Sequence, residues 1–389
     1  METVAVFFGG RSAEHDVSIV TALSSVIKPL ELTRKYKVEA IYIAKNGAWY
    51  WDEKLKDITL FTSGAIESFI ESAKPVSVQF DGGMVLIKQG KGLAAKKQTT
   101  RIDVVFPAMH GTYGEDGSLM GLLDMAGVAY VGCDTASAAV AMDKVLAKQQ
   151  AAASGIPITK FVWFTKTKVD NELAATIKQV TASLSYPVFV KPAHLGSSIG
   201  ISRATNDQEL SNALEVAAHY DNKILVEEAV QNLIEVTLPI IGNNEPIPAL
   251  LEKPLTSAED FFDFETKYMQ GGKKGKGSKG SKGAQGYSQI PAELPDDLYS
   301  TAEMTGLAVY QALSCSGIAR VDMLIDSKAG KVYFNEVNPL PGGLYAHNWS
   351  KAGVSSVELV EKLIIYAKER AAQRQVLATT FSTNYLQQF

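Results

Sequence analysis

Only two cysteines, Cys133 and Cys315, occur in 389 residues, and neither belongs to a CxxC pair. That excludes a disulfide framework and a cysteine-built zinc site and fits a reducing compartment; both residues are expected in the core. No apolar run reaches the ~20 residues of a membrane-spanning helix. The opening METVAVFFGG enters a strand directly, without the basic start and long apolar stretch of a signal peptide. A cytoplasmic location with no membrane partner is therefore expected. An excess of one charge is also lacking, since 38 Lys and Arg face 42 Asp and Glu, for a formal net charge of -4. This argues against a general nucleic-acid binder.

What is present is an ordinary apolar fraction, 46%, in a chain long enough for two or three domains with substantial cores. The most informative stretch is 317–343, GIARVDMLIDSKAGKVYFNEVNPLPGG. Two runs with period-2 alternation flank a loop with turn chemistry, which predicts a β-hairpin. Alternation puts Arg320 and Asp322 on one face and Glu336 and Asn338 on one face of the returning strand. If the register joins those faces, two carboxylates and a carboxamide oxygen form a hard-oxygen set suited to Mg²⁺, with Arg320 facing phosphate charge. A salt-bridged hairpin is the bland alternative.

Elsewhere, a short strand at 4–8, a Gly-Gly turn and an apolar pattern of helical spacing open a parallel α/β domain. Glu14 in that turn suits a substrate ammonium or, equally, the positive end of a helix dipole. Strands are expected at 38–43 and 102–106 and a hairpin across 76–88, with a helix at about 136–154 ending at Gly155-Ile-Pro157. Lys191 lies on a strand before a Gly/Ser loop, 193–200, whose N–H groups and hydroxyls suit phosphate oxygens. The strand 224–228 ends in two glutamates, with Glu235 beyond, a plausible base-and-ribose edge. Helices are expected at about 296–314 and 354–372. Residues 275–280 match G-x-G-x-x-G formally, yet no strand precedes them and no apolar helix follows, so they are no dinucleotide fingerprint. The Lys/Gly-rich stretch around them reads as a solvated loop or lid, with RNA binding a minor alternative.

Taken in order, FFGGRSAEHDVS, HGTYGEDGSLMG, MDKVLAK, FVKPAHLGSSIGIS, FFDFETKY, IPAEL, GIARVDM and FNEVNPLPGG span almost the whole chain. Together they resemble the D-alanine:D-alanine ligases and their D-lactate and D-serine relatives, within the ATP-grasp superfamily. The resemblance implies an α/β fold: an N-terminal parallel α/β domain, 1–135, then a two-part ATP-grasp fold of two α+β units, 136–223 and 224–389, with a mobile loop at 269–287. It implies Lys144, Lys191, Lys267 and the loop serines Ser197 and Ser198 at the phosphates of ATP. Glu228 and Glu235 would be the adenine-edge and ribose carboxylates, with Ala229 and Val230 at the backbone hinge between them. Asp322, Glu336 and Asn338 would hold two Mg²⁺ ions, with Mn²⁺ as a substitute. Glu14 would lie near the ammonium of the first D-alanine, and Arg320 and Gly342 would stabilise the oxyanion. Ser197 and Tyr268 would complete the catalytic set, Tyr268 standing beside Lys267 as in dipeptide-forming members, which favours an amine nucleophile. A homodimer making D-alanyl-D-alanine for peptidoglycan is implied, with D-lactate or D-serine as alternative second substrates. Two features depart from the family pattern: His347 stands where a serine helps hold the second substrate, and the Lys/Gly loop is longer and more basic.

Overall fold

The computed structural model describes residues 1–90, 97–255, 288–380 and 382–389. In the N-terminal unit β1 (Glu2–Gly9) runs parallel to β2 (Tyr36–Ile43), and β3 (Trp49–Trp51) closes that edge antiparallel. The apolar run of β1 is buried on both faces, as a central parallel strand requires. β4 (Ser77–Phe80), β5 (Met84–Lys88) and β6 (Gln98–Ile102) form a separate antiparallel sheet. β7 (Val104–Pro107) and β8 (Ala129–Tyr130) return to the first sheet, giving the order β3-β2-β1-β7-β8. The single strand expected at 102–106 is thus two strands. Asp103 parts them, exchanging hydrogen bonds with the Thr3 backbone through its own N–H and its carboxylate.

At the end of β1 the chain turns through Gly9, at φ +88°. A Cβ there would lie 2.3 Å from the Ile43 carbonyl, so a side chain cannot be placed without displacing β2.

The expected helix at 136–154 is two helices, Thr135–Met142 and Lys144–Ala153. Asp143 between them is extended, and its carboxylate caps the second helix through the N–H groups of Val145 and Leu146. Next comes an antiparallel sheet of β9 (Phe161–Thr165), β10 (Val188–Pro192), β11 (Ser202–Ala204) and β12 (Lys223–Glu228), in the order β11-β10-β12-β9. Helices Leu173–Ser183 and Asp207–Tyr220 share a core with Val188, Val190, Ile224 and Val226.

A fourth sheet is built from β13 (Leu233–Gly242), β14 (Ile247–Pro248), β17 (Gly317–Asp326) and β18 (Lys331–Asn338), in the order β14-β13-β17-β18. A small pair, β15 (Lys253–Pro254) with β16 (Ser288–Gln289), lies beside it. Two boundaries read from sequence shift. The division placed at 223/224 cuts through β12, which pairs with β9 and β10, so the sheets part after Glu228. The helices after residue 135, expected with the central unit, bury Ala138, Ala141, Ala147 and Ala151 in the core of the β14-β13-β17-β18 sheet. The last helix, Ser356–Gln375, packs Leu359, Val360 and Leu363 onto the N-terminal core, tying the chain's two ends together.

Candidate active site

The hairpin expected at 317–343 forms as β17 and β18, and its register pairs Arg320 with Asn338 and Asp322 with Glu336. The two faces meet as alternation required. Arg320 donates to both carboxylate oxygens of Asp322, from Nε at 2.6 Å and from the guanidinium end at 2.5 Å, and Asn338 donates to the same carboxylate at 3.2 Å. The Arg320 guanidinium also lies 5.0 Å over the Tyr345 ring. Register shifts between Asp322 and Met323, leaving Asn335 as an extra residue on β18. The bulge keeps Phe334 in the core while Glu336 turns to the site.

Asp322, Glu336 and Asn338 fit a magnesium ion by donor chemistry: two carboxylates and a carboxamide on adjacent strands, flanked by cations where phosphate would arrive. Among the described residues no group of three or more His, Cys, Asp or Glu side chains is placed to hold a metal. Such a set leaves much of a six-oxygen shell to phosphate and water, as magnesium at nucleotide sites commonly requires.

Two lysines approach this wall, Lys144 from the helix packed on the same sheet and Lys191 from the central sheet. Lys144, at the start of its helix, reaches Glu336 at 3.0 Å and donates to the Leu195 carbonyl at 2.7 Å. Burial raises the Glu336 carboxyl, but the Lys144 and Lys191 charges outweigh it and hold it at about 2. Lys191 on β10 donates to Asn335 Oδ1 at 3.3 Å and pairs closely with Glu227. Burial alone would push its ammonium down; Glu227, Glu336 and Glu235 outweigh that and hold it above its ordinary range.

Of the two glutamates that end β12, the expected Glu228 faces away from the lysines and Glu227 faces them. On β12, Glu228 lies on the side of Ile224 and Val226, facing the helices, and accepts the Ser185 N–H at 3.0 Å. Glu227 projects from the opposite face, is 1% exposed, and joins Lys191, Lys148 and Thr159. The Ala229 N–H is taken by the Pro187 carbonyl, Val230 is half-buried beyond it, and Glu235 lies on β13 opposite Leu324. Lys148 was missed; its spacing of four from Lys144 on one helix was the available signal.

The Gly/Ser loop is bolted to the Lys144 helix. The Lys144 N–H donates to the Ala193 carbonyl at 3.0 Å, and His194 bridges Asp143 at 3.2 Å and Asp221 at 3.0 Å. Beyond this anchor Ser197 and Ser198 have positive φ, 53° and 60°, and the Ser197 hydroxyl donates to the Glu14 carboxylate. The loop thus lies against the N-terminal unit: a Cβ on Gly196 would stand 3.2 Å from Glu14 Oε2.

Gly342 begins a tight turn after β18, and a Cβ there would meet nothing within 4 Å, so its backbone borders open space. Leu344 and Tyr345 follow in the left-handed region, φ 55° and 52°, with the Gly343 N–H held by Thr21 Oγ1 at 3.0 Å. Those contacts tie the turn to the first helical segment. His347 is already engaged: its Nε2 lies 3.0 Å from Glu252, which also accepts from Asn348 at 3.1 Å. Nothing in the local sequence marks Glu252 as the partner of His347, 95 positions away. Lys267, Tyr268 and the 269–287 loop lie outside the described residues.

The family model for the D-ala D-ala ligase N-terminus matches residues 3–133, and that for the D-ala D-ala ligase C-terminus matches residues 151–365. The D-alanine–D-alanine ligase of Acetivibrio thermocellus is 36% identical, covering 94% of this chain and 96% of its own. That of Bacillus velezensis is 35% identical, covering 96% and 100%. Among solved structures, the D-alanine–D-alanine ligase from Coxiella burnetii superposes with a TM-score of 0.76 at 26% identity, covering 96% of each chain. The VanG D-Ala:D-Ser ligase from Enterococcus faecalis gives 0.76 at 31%, covering 94% of this chain and 99% of its own. The sheets described above are accordingly those of an ATP-grasp fold. Matched in both halves and along its length, the chain belongs to the D-alanine–D-alanine ligase family.

Proposed function

We propose that this chain is an ATP-dependent ligase that joins two D-alanines into D-alanyl-D-alanine, a peptidoglycan precursor. The observation that carries the reading is the convergence of Lys144, Lys191 and Arg320 on the Asp322–Glu336 wall, with the serine loop reaching Glu14. Cations and carboxylates so placed suit a nucleotide polyphosphate, and Glu14 suits the ammonium of an amino acid.

A carboxylate is a poor acylating agent because its leaving group would be oxide. In the proposed reaction the carboxylate of the first D-alanine attacks the γ-phosphorus of ATP, ADP leaves, and an acyl phosphate results. Glu14 holds the substrate ammonium, with Ser197 fixing the rotamer of Glu14, while Lys144 and Lys191 stabilise charge on the phosphates. The neutral amine of the second D-alanine then attacks the acyl carbon, and Arg320 with the Gly342 N–H stabilises the oxyanion until phosphate departs. Asp322, Glu336 and Asn338 would hold Mg²⁺, which supplies charge neutralisation at the phosphate oxygens.

Lys267 and Tyr268, two Mg²⁺ ions, a homodimer and a cytoplasmic location belong to the same proposal, supported by family membership. Among the described residues no helix is long and apolar enough to cross a membrane. The test is phosphate release with Mg-ATP and D-alanine, then with D-serine or D-lactate added, with products identified by mass. D-alanyl-D-alanine is the expected product. A mixed product instead would assign the second site to another substrate, and no turnover with any D-amino acid would refute the ligase reading.

A further inference from the structure

Lys148 is 0% exposed and lies on the Lys144 helix, where all three donors of its ammonium are spoken for. It reaches Glu227 at 2.9 Å, Thr159 Oγ1 at 3.2 Å and the Phe334 carbonyl at 3.3 Å. Thr159 in turn donates to the same Glu227 oxygen at 2.6 Å, while the other oxygen of Glu227 takes Lys191. Glu227 therefore stands between two lysines, one oxygen assigned to each side.

The charge count explains why a second buried lysine is present. Glu227 with Lys191 alone would be a neutral pair, and in a poorly solvated site that carboxylate would hold the ammonium in competition with any incoming phosphate. With Lys148 added, the three groups carry a net charge of one positive. Lys191 is the member of the trio whose side chain also reaches Asn335, beside Glu336. Burial pushes the Lys148 ammonium down and Glu227 pulls it back up, whereas Glu227 itself is raised by burial and then held well below the carboxylate range by both lysines. The Phe334 contact adds a mechanical element, since that carbonyl belongs to β18 and the helix carrying Lys148 thereby spans from the central sheet to the metal wall.

We propose that Lys148 is a positioning residue for nucleotide binding: by occupying one oxygen of Glu227 it leaves Lys191 with a charge to give to the phosphates of ATP. The inference rests on the assignment of Lys191 to those phosphates, and the experiment separates the two.

The dissociation constant of ATP is measured by calorimetry on the full chain and on four variants, with thermal unfolding as the check on folding and steady-state rates alongside. Lys191→Met tests the site: unchanged ATP affinity would remove Lys191 from the nucleotide and the inference with it. Lys148→Met leaves a balanced Glu227–Lys191 pair, so it should fold, and its Kd and KM for ATP should rise about tenfold with kcat changed much less. Lys148→Met combined with Glu227→Gln frees Lys191 again and should recover most of that affinity, and Lys148→Arg should bind ATP better than Lys148→Met. A structural role alone would give no recovery in the double variant. The inference is overturned if Lys191→Met weakens ATP binding while Lys148→Met does not, or if the folded double variant binds no better than Lys148→Met.

Discussion

Ser197 donates its hydroxyl hydrogen to the carboxylate of Glu14 across 183 positions of chain. The bond crosses from the Gly/Ser loop to the first turn of the N-terminal unit, so the loop's position is read directly at the group proposed to hold the first substrate. Ser197→Ala is expected to lower kcat/KM for the first D-alanine about tenfold or more, and Glu14→Gln further. A hydrogen bond to a charged group is worth ~1.5–3 kcal/mol, and residues acting through one contact are not additive. The double variant should therefore fall little below Glu14→Gln. Independent losses that simply add would show that the pair does not act as a unit.

Arg320 and Asp322 are locked together two residues apart on one strand face. Asp322→Asn removes both a proposed metal ligand and the partner of a buried guanidinium. The free Mg²⁺ needed for half-maximal phosphate release should rise at least about tenfold, with kcat depressed at saturating metal. A variant with the native magnesium profile would remove Asp322 from the metal. Removing the divalent ion by chelation should abolish turnover and leave the unfolding transition of the substrate-free chain nearly unchanged.

His194 titrates unusually high, at about 9, because Asp143 and then Asp221 hold its charged form. A folded-state pKa raised above the ordinary 6.5 stabilises the fold fully below pH 6.5 and loses that contribution as pH rises through about 9. The imidazole is nearly half-exposed, so solvent screening reduces the contribution to on the order of 1 kcal/mol. The melting temperature of the native chain minus that of His194→Ala, measured from pH 6 to 10, should be largest at the acid end and shrink through pH 9. A constant difference would mean that packing, not charge, is what the imidazole contributes.

His347 and Glu252 face each other at 3.0 Å, beside Tyr345 and one turn from Gly342. If this corner holds the second substrate, Glu252→Gln and His347→Ala should each raise KM for the second D-alanine by about tenfold while leaving KM for ATP within about twofold. Equal changes in both constants would place the pair outside the second-substrate site.

Much of this was written in local sequence. Alternation and turn residues specified the hairpin, and with it the faces that bring Arg320, Asp322, Glu336 and Asn338 together. The Gly-Gly turn after β1 and the Gly/Ser loop after Lys191 were legible for the same reason: each depends on backbone freedom that few residue types supply. The bulge at Asn335 was not, because period 2 alone would put Phe334 and Glu336 on one face.

What the tertiary structure decided is which of two adjacent residues faces the site and which side chains lie opposite it. Glu227 and Glu228 are equivalent in a strand pattern. Glu227 is the buried one because the Lys144–Ala153 helix lies across its face of β12 and brings Lys148 to it, while other helices cover the face of Glu228. Likewise Ser197 with Glu14, and His347 with Glu252, are separated by 183 and 95 positions, respectively. Local sequence specifies a side chain's direction relative to its own strand or helix. Its charge environment is set by the packing of elements against one another, and a carboxylate's partner across that contact follows from the packing alone.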